Sequence, residues 1–136
     1  AVACDVVDMS DFLKGWFVVI HSGAADTDLV LTLYEATDVT AGTNAAVTKT
    51  CRIWHDTDMG TSSDTLVETT ADYDYTIDTG NYPNSMVVME IDPAILSAGY
   101  SCVYLADSGG NASNYCTILF MGVPRNMSAS LPSAIA

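Results

Sequence analysis

Across residues 28–35 the chain alternates with a period of two: Leu29, Leu31 and Leu33 fall on one side of an extended backbone, Val30, Thr32 and Tyr34 on the other. That period builds a strand with one apolar face, and a strand of this kind is stable only against a second apolar layer. The rest of the chain repeats the pattern in short runs punctuated by turn chemistry. Residues 16–20 form an apolar run that stops at His21-Ser22-Gly23, a buried strand followed by a turn. Thr40-Ala41-Gly42-Thr43-Asn44 is a turn. Residues 47–55 then resume a strand, with Val47, Cys51 and Ile53 on one face and Trp54 on the other.

Residues 56–63 are Gly, Ser, Thr and Asp with one Met, and predict an exposed loop. Two short strands follow at 66–70 and 73–77 around Ala71-Asp72, a break covers 79–84, and 86–91 runs apolar again. Asp92-Pro93 supplies an N-cap and a first-turn proline, and Gly99 stands where a left-handed C-cap belongs, so one short helix is expected near residues 92–98. Residues 100–106 and 115–123 flank Asp107-Ser108-Gly109-Gly110 and predict a hairpin ended by Pro124. Eight or nine short strands with one helical turn predict an all-β fold, an antiparallel β-sandwich or jelly roll. The expected division is an N-terminal arm over 1–15, a β-sandwich domain over 16–124 and a C-terminal arm over 125–136.

The 136 residues suffice for one core. Seventeen acidic against four basic residues give a net charge of -13, which repels a phosphate backbone and an anionic membrane surface alike, so neither direct nucleic-acid binding nor membrane binding is expected. No run of 18 apolar residues occurs, and Ala1-Val2-Ala3-Cys4-Asp5 has neither the basic nor the apolar region of a signal peptide. Cys4, Cys51, Cys102 and Cys116 have no zinc-ligand spacing. Counting outward from Gly109 sets Cys102 and Cys116 opposite one another in the expected hairpin, either as packed thiols or, in an oxidising compartment, as a bonded pair.

Motifs for nucleophilic, phosphoryl or zinc chemistry are missing from the sequence, and no catalytic residue, cofactor or metal site is predicted. His21-Ser22 and His55-Asp56 are the only places where an imidazole adjoins a partner, but neighbours on a strand face opposite ways, so both histidines are expected in solvated or capping roles at strand ends. The acid pairs Asp26 and Asp28, Asp56 and Asp58, and Asp72 and Asp74 lack the spacing of a calcium loop and read as turn residues. Tyr73, Tyr75, Tyr82, Tyr100, Tyr104 and Tyr115, with the two tryptophans, fit core or interface positions better than a sugar platform. The strongest interaction signal lies at the ends. Val6, Val7, Met9, Phe12 and Trp16 form an apolar set with Lys14 as its one cation, and Arg125, Leu131 and Ile135 mark the closing segment; these eight residues are the expected interface.

Val7-Asp8-Met9-Ser10 before an apolar strand, Leu31-Thr32-Leu33-Tyr34-Glu35-Ala36, Met89-Glu90-Ile91-Asp92, Gly99-Tyr100 and Gly122-Val123-Pro124-Arg125 resemble, in order and spacing, small capsid-associated proteins of tailed bacteriophages. The resemblance implies a β-rich, oligomeric, non-enzymatic decoration or cement protein. Such a protein is assembled in the host cytoplasm, lies on the capsid exterior of the virion, and binds the major capsid protein and copies of itself as a dimer or trimer. The alternative is a ligand-binding β-sandwich, a carbohydrate-binding or adhesion module of a tail or fibre.

Overall fold

The structure, a computed structural model, describes residues 3–23, 27–61, 65–108 and 111–126. Ten strands occur in these segments: β1 (Val7–Asp8), β2 (Phe12–Ser22), β3 (Leu29–Ala36), β4 (Asn44–Ala46), β5 (Arg52–Asp56), β6 (Val67–Glu68), β7 (Asp74–Ile77), β8 (Asn84–Ile91), β9 (Cys102–Asp107) and β10 (Tyr115–Pro124). They form two antiparallel five-stranded sheets. In the first, β1 pairs with β9 and β9 with β3, whose far side is shared by β7 at its start and β4 at its end. The second runs β10-β2-β8-β5-β6.

Alternation explains the core between them. Leu29, Leu31 and Leu33 of β3 meet Phe17 and Val19 of β2, Ile53 of β5, and Val87, Met89 and Ile91 of β8, all buried in one cluster. Each such side chain contributes roughly 1.5–3 kcal/mol relative to exposure. Val47 and Cys51 are buried as expected, but of the strand expected across 47–55 only residues 52–55 lie in a strand, β5, while β4 ends before it at Ala46. Cys51 instead makes an isolated bridge to Asp72.

The helix expected near residues 92–98 is a single 3-10 turn, Pro93–Ile95. Its cap is the one the sequence specifies: the Asp92 side chain accepts from the Ala94 N–H at 2.8 Å, and Gly99 follows at φ +90. Glu35, buried on the inner side of β3, accepts from the Ser97 N–H at 2.8 Å and ties this segment to the sheet.

Two expectations are corrected. The segments 100–106 and 115–123 do not form a hairpin, because β9 is already flanked by β1 and β3 in the first sheet while β10 pairs with β2 in the second. Cys102 therefore lies opposite Asp8 and Ala36, Cys116 opposite His21, and both thiols are free. From residue 3 onward the expected N-terminal arm belongs to the sandwich. Ala3 bridges Ala106, β1 adds a strand to the first sheet, a 3-10 turn spans Met9–Asp11 with Asp8 as its cap, and β2 begins at Phe12. Val7 and Met9 are core residues of their own domain, so they are not free to contact another chain.

Candidate functional site

Strand β2 is apolar on both sides, and its two sides meet different surroundings. Gly15, Phe17, Val19 and His21 point into the sandwich. Trp16, Val18 and Ile20 point out, onto the outer face of the second sheet. There the register assembles rows of side chains across four strands. Leu119, Val18, Val88 and Trp54 stand side by side on β10, β2, β8 and β5. Met121 and Trp16 flank this row on one side, and Ile20 and Met86 on the other. Leu119 is 56% exposed, Met121 49% and Ile20 44%.

Charged groups frame this apolar band. Lys14 Nζ lies 3.1 Å from Glu90 Oε1, and the Trp16 indole N–H donates to Glu90 Oε2 at 3.3 Å. Arg52 holds Glu68 through two bonds, Nε–Oε1 at 2.8 Å and a terminal nitrogen to Oε2 at 3.2 Å, while its guanidinium lies 4.6 Å from the centre of the Trp54 ring. Their hydrogen bonds lower the Glu68 pKa and raise that of Arg52, so both stay ionised and paired. At one border, Asp56, Met59, Leu66 and Met86 line an open depression of about 450 Å³. An aliphatic row ending in Trp54, with tryptophan and methionine side chains beside it, paired charges at the rim and an adjoining socket, has the composition that protein-docking surfaces share.

The other candidate features are dispersed. Tyr34 and Tyr104 stack at 5.2 Å across β3 and β9, on the other sheet. Tyr75 stacks on His55 at 5.4 Å beside a cleft of about 200 Å³ that Tyr82 and Asp78 also line. The aromatic residues thus make no common platform. His21 departs from its expected solvated role: it is fully buried, with Nε2 3.4 Å from Asn114 Oδ1 and Nδ1 without a partner among the described residues.

Asp56 and Asp58 act as turn residues, accepting from the Asp58 and Gly60 N–H groups. Asp72 accepts from the Tyr73 N–H, and Asp26 lies outside the described residues. No group of three or more His, Cys, Asp or Glu side chains suited to a metal ion occurs among the described residues, and no helix there is long and apolar enough to cross a membrane. Burial pushes the thiols of Cys51 and Cys116 up to about 11 and raises those of Cys4 and Cys102, which holds all four as weakly reactive thiols near neutrality.

Of the eight residues expected at an interface, only Trp16 belongs to the band. Val6 is half-buried, Val7 and Met9 are core, and Phe12 packs edge-on against Phe120 at 5.4 Å between ring centres. Arg125 is exposed, donating to the Phe12 carbonyl at 3.2 Å; Leu131 and Ile135 lie outside the described residues. The band was hidden because most of its members are scattered over β5, β8 and β10, and only strand pairing brings them together. Comparison with protein-family models, curated proteins and solved structures finds no match to this chain.

Proposed function

We propose that this chain is a non-enzymatic structural protein of a virion, a decoration or cement protein that docks on the outer face of a shell of major capsid protein and stabilises it. The observation that carries this reading is the apolar band centred on Val18, Val88, Trp54 and Leu119, which no other element covers among the described residues. A sheet face of this composition is stabilised when another protein excludes water from it. The resemblance of the sequence to capsid-associated proteins supplies the partner, and the net charge of -13 suits a protein whose remaining surface faces solvent. Many copies, each with modest affinity, hold a shell through contacts repeated around it.

The test is occupancy on shells assembled from the major capsid protein of the same virus. Val18→Glu and Trp54→Glu place a charge in the band and are expected to lower occupancy at least about tenfold, the effect of ~1.4 kcal/mol per site. Normal occupancy of both variants overturns the reading. A second reading, a ligand-binding module, draws on the cleft beside His55, Tyr75 and Tyr82. A glycan-array signal abolished by Tyr75→Ala, together with normal shell occupancy of the band variants, would favour it.

A further inference from the structure

Sheet edges are where unpaired backbone groups invite another chain, and most edges in this sandwich are blunted. β1 and β6 have two residues each and carry Asp8 and Glu68; β4 has three residues; β7 has four and is flanked by Asp72 and Asp78. β10 differs. It runs for ten residues, Tyr115–Pro124, pairs among the described residues with β2 alone, and contains no charged side chain in a chain with seventeen acids. We propose that β10 pairs antiparallel with β10 of a second copy about a twofold axis, joining two five-stranded sheets into one of ten strands.

Three observations select a second copy as the occupant. The first is charge: two chains of net charge -13 repel over most of their surfaces, and this seam brings no acid of one strand against an acid of the other. The second is the seam's own core. Ile118 and Phe120 of β10 are only half-buried, and a groove of about 150 Å³ runs between β10 and the N-terminal segment, lined by Cys4, Val7, Ile118, Leu119 and Phe120 and by one acid, Asp5.

Antiparallel pairing keeps side chains of like parity on one face. With the axis at Leu119, Phe120 of one copy stands beside Ile118 of the other, so each apolar pair extends its partner's half-covered core along this groove. The third observation is polarity. Arg125, the exposed cation that follows β10, lies at one end of the strand only, so the antiparallel twofold keeps the two copies' Arg125 side chains at opposite ends of the seam.

The pairing also sets the outer faces of both copies side by side as one surface. It needs no shell, so it stands or falls separately from the docking reading. Sedimentation equilibrium of the full chain, joined to hydrogen exchange of the β10 amides, tests it. The expected result is a species of twice the chain mass, tightened by added salt as the repulsion is screened, with β10 amides protected more strongly as concentration rises. Leu119→Lys, at an exposed position, is expected to weaken the dimer about a hundredfold or more, while Val67→Lys on the opposite edge of the same sheet leaves it unchanged.

A monomer whose β10 amides on the side away from β2 exchange freely overturns the proposal. So does a monomer in which those same amides are protected at every concentration, which would assign the edge to the chain's own remaining residues. A trimer overturns it as well, because antiparallel edge pairing closes at two.

Discussion

Gly15 and Gly122 face each other across β2 and β10, and the rings of Phe120 and Phe12 lie over them. A Cβ on Gly122 would stand 2.3 Å from Phe12 Cδ1 and 2.9 Å from Phe120 Cε1. Neither ring can yield freely: Phe12 packs edge-on to Phe120, and Phe120 packs edge-on to Phe17 at 5.2 Å, itself fully buried. Gly122→Ala must therefore break one or two aromatic pairs, each contributing about 0.5–1.5 kcal/mol, against a gain of roughly 0.5–1 kcal/mol from the smaller backbone entropy of alanine. The net expectation runs from near zero, if one pair breaks, to a loss of about 2.5 kcal/mol, if both do.

Phe12→Ala alone should cost roughly 2–3 kcal/mol, below the ~3–5 typical of a fully buried phenylalanine because this ring is half-buried. In the double variant the clash with Phe12 is gone, so the two losses should sum to at least about 0.5 kcal/mol more than the measured total. Urea unfolding of the four proteins provides the cycle. Additive losses would show that the glycine pair and the aromatic cluster are independent, and would refute this account of how the start of β2 is locked to β10.

Glu35→Ala leaves the Ser97 N–H without its carboxylate and should destabilise the fold by about 1–3 kcal/mol, with faster exchange of that amide as the specific sign. His21→Leu removes a buried nitrogen that has no partner among the described residues, together with the long 3.4 Å contact of Nε2 to Asn114, and should be near neutral in thermal unfolding; a loss well above that of Asn114→Ala would point to a bond at Nδ1. The thiols of Cys51 and Cys116 are raised from about 9 to about 11, so the folded state holds their protons longer than the unfolded chain does. Their contribution to stability is present below about pH 9 and disappears as pH rises through about 11, and alkylation of the native protein should stay slow until that range.

Alternation made most strands legible, because Leu29, Leu31 and Leu33 declare both a period and a buried face. The cap at Asp92 was equally local and was found in place. What escaped was non-local. Asp107-Ser108-Gly109-Gly110 is turn chemistry in the sequence, but the choice of sheet for β10 depends on β9 having both sides filled by β1 and β3. Likewise Val7 and Met9 are apolar enough to require cover, and sequence says nothing of whether that cover is another subunit or the same domain. The burial of His21 did have a local signal, since it continues the parity of Gly15, Phe17 and Val19 along β2. The apolar band was half visible: residues 16–20 are apolar on both parities, the pattern of a strand covered on two sides, and only one side is covered among the described residues.

Hydroxyl-radical footprinting of the protein free and on shells tests the central claim most directly, because the band carries reactive side chains of its own: Trp16, Trp54, Met86 and Met121. Docking through this face predicts that their oxidation falls severalfold on the particle while Tyr73, Tyr82 and Tyr104 keep their free reactivity. Unchanged oxidation of the two tryptophans on fully occupied shells, with protection elsewhere, would contradict it.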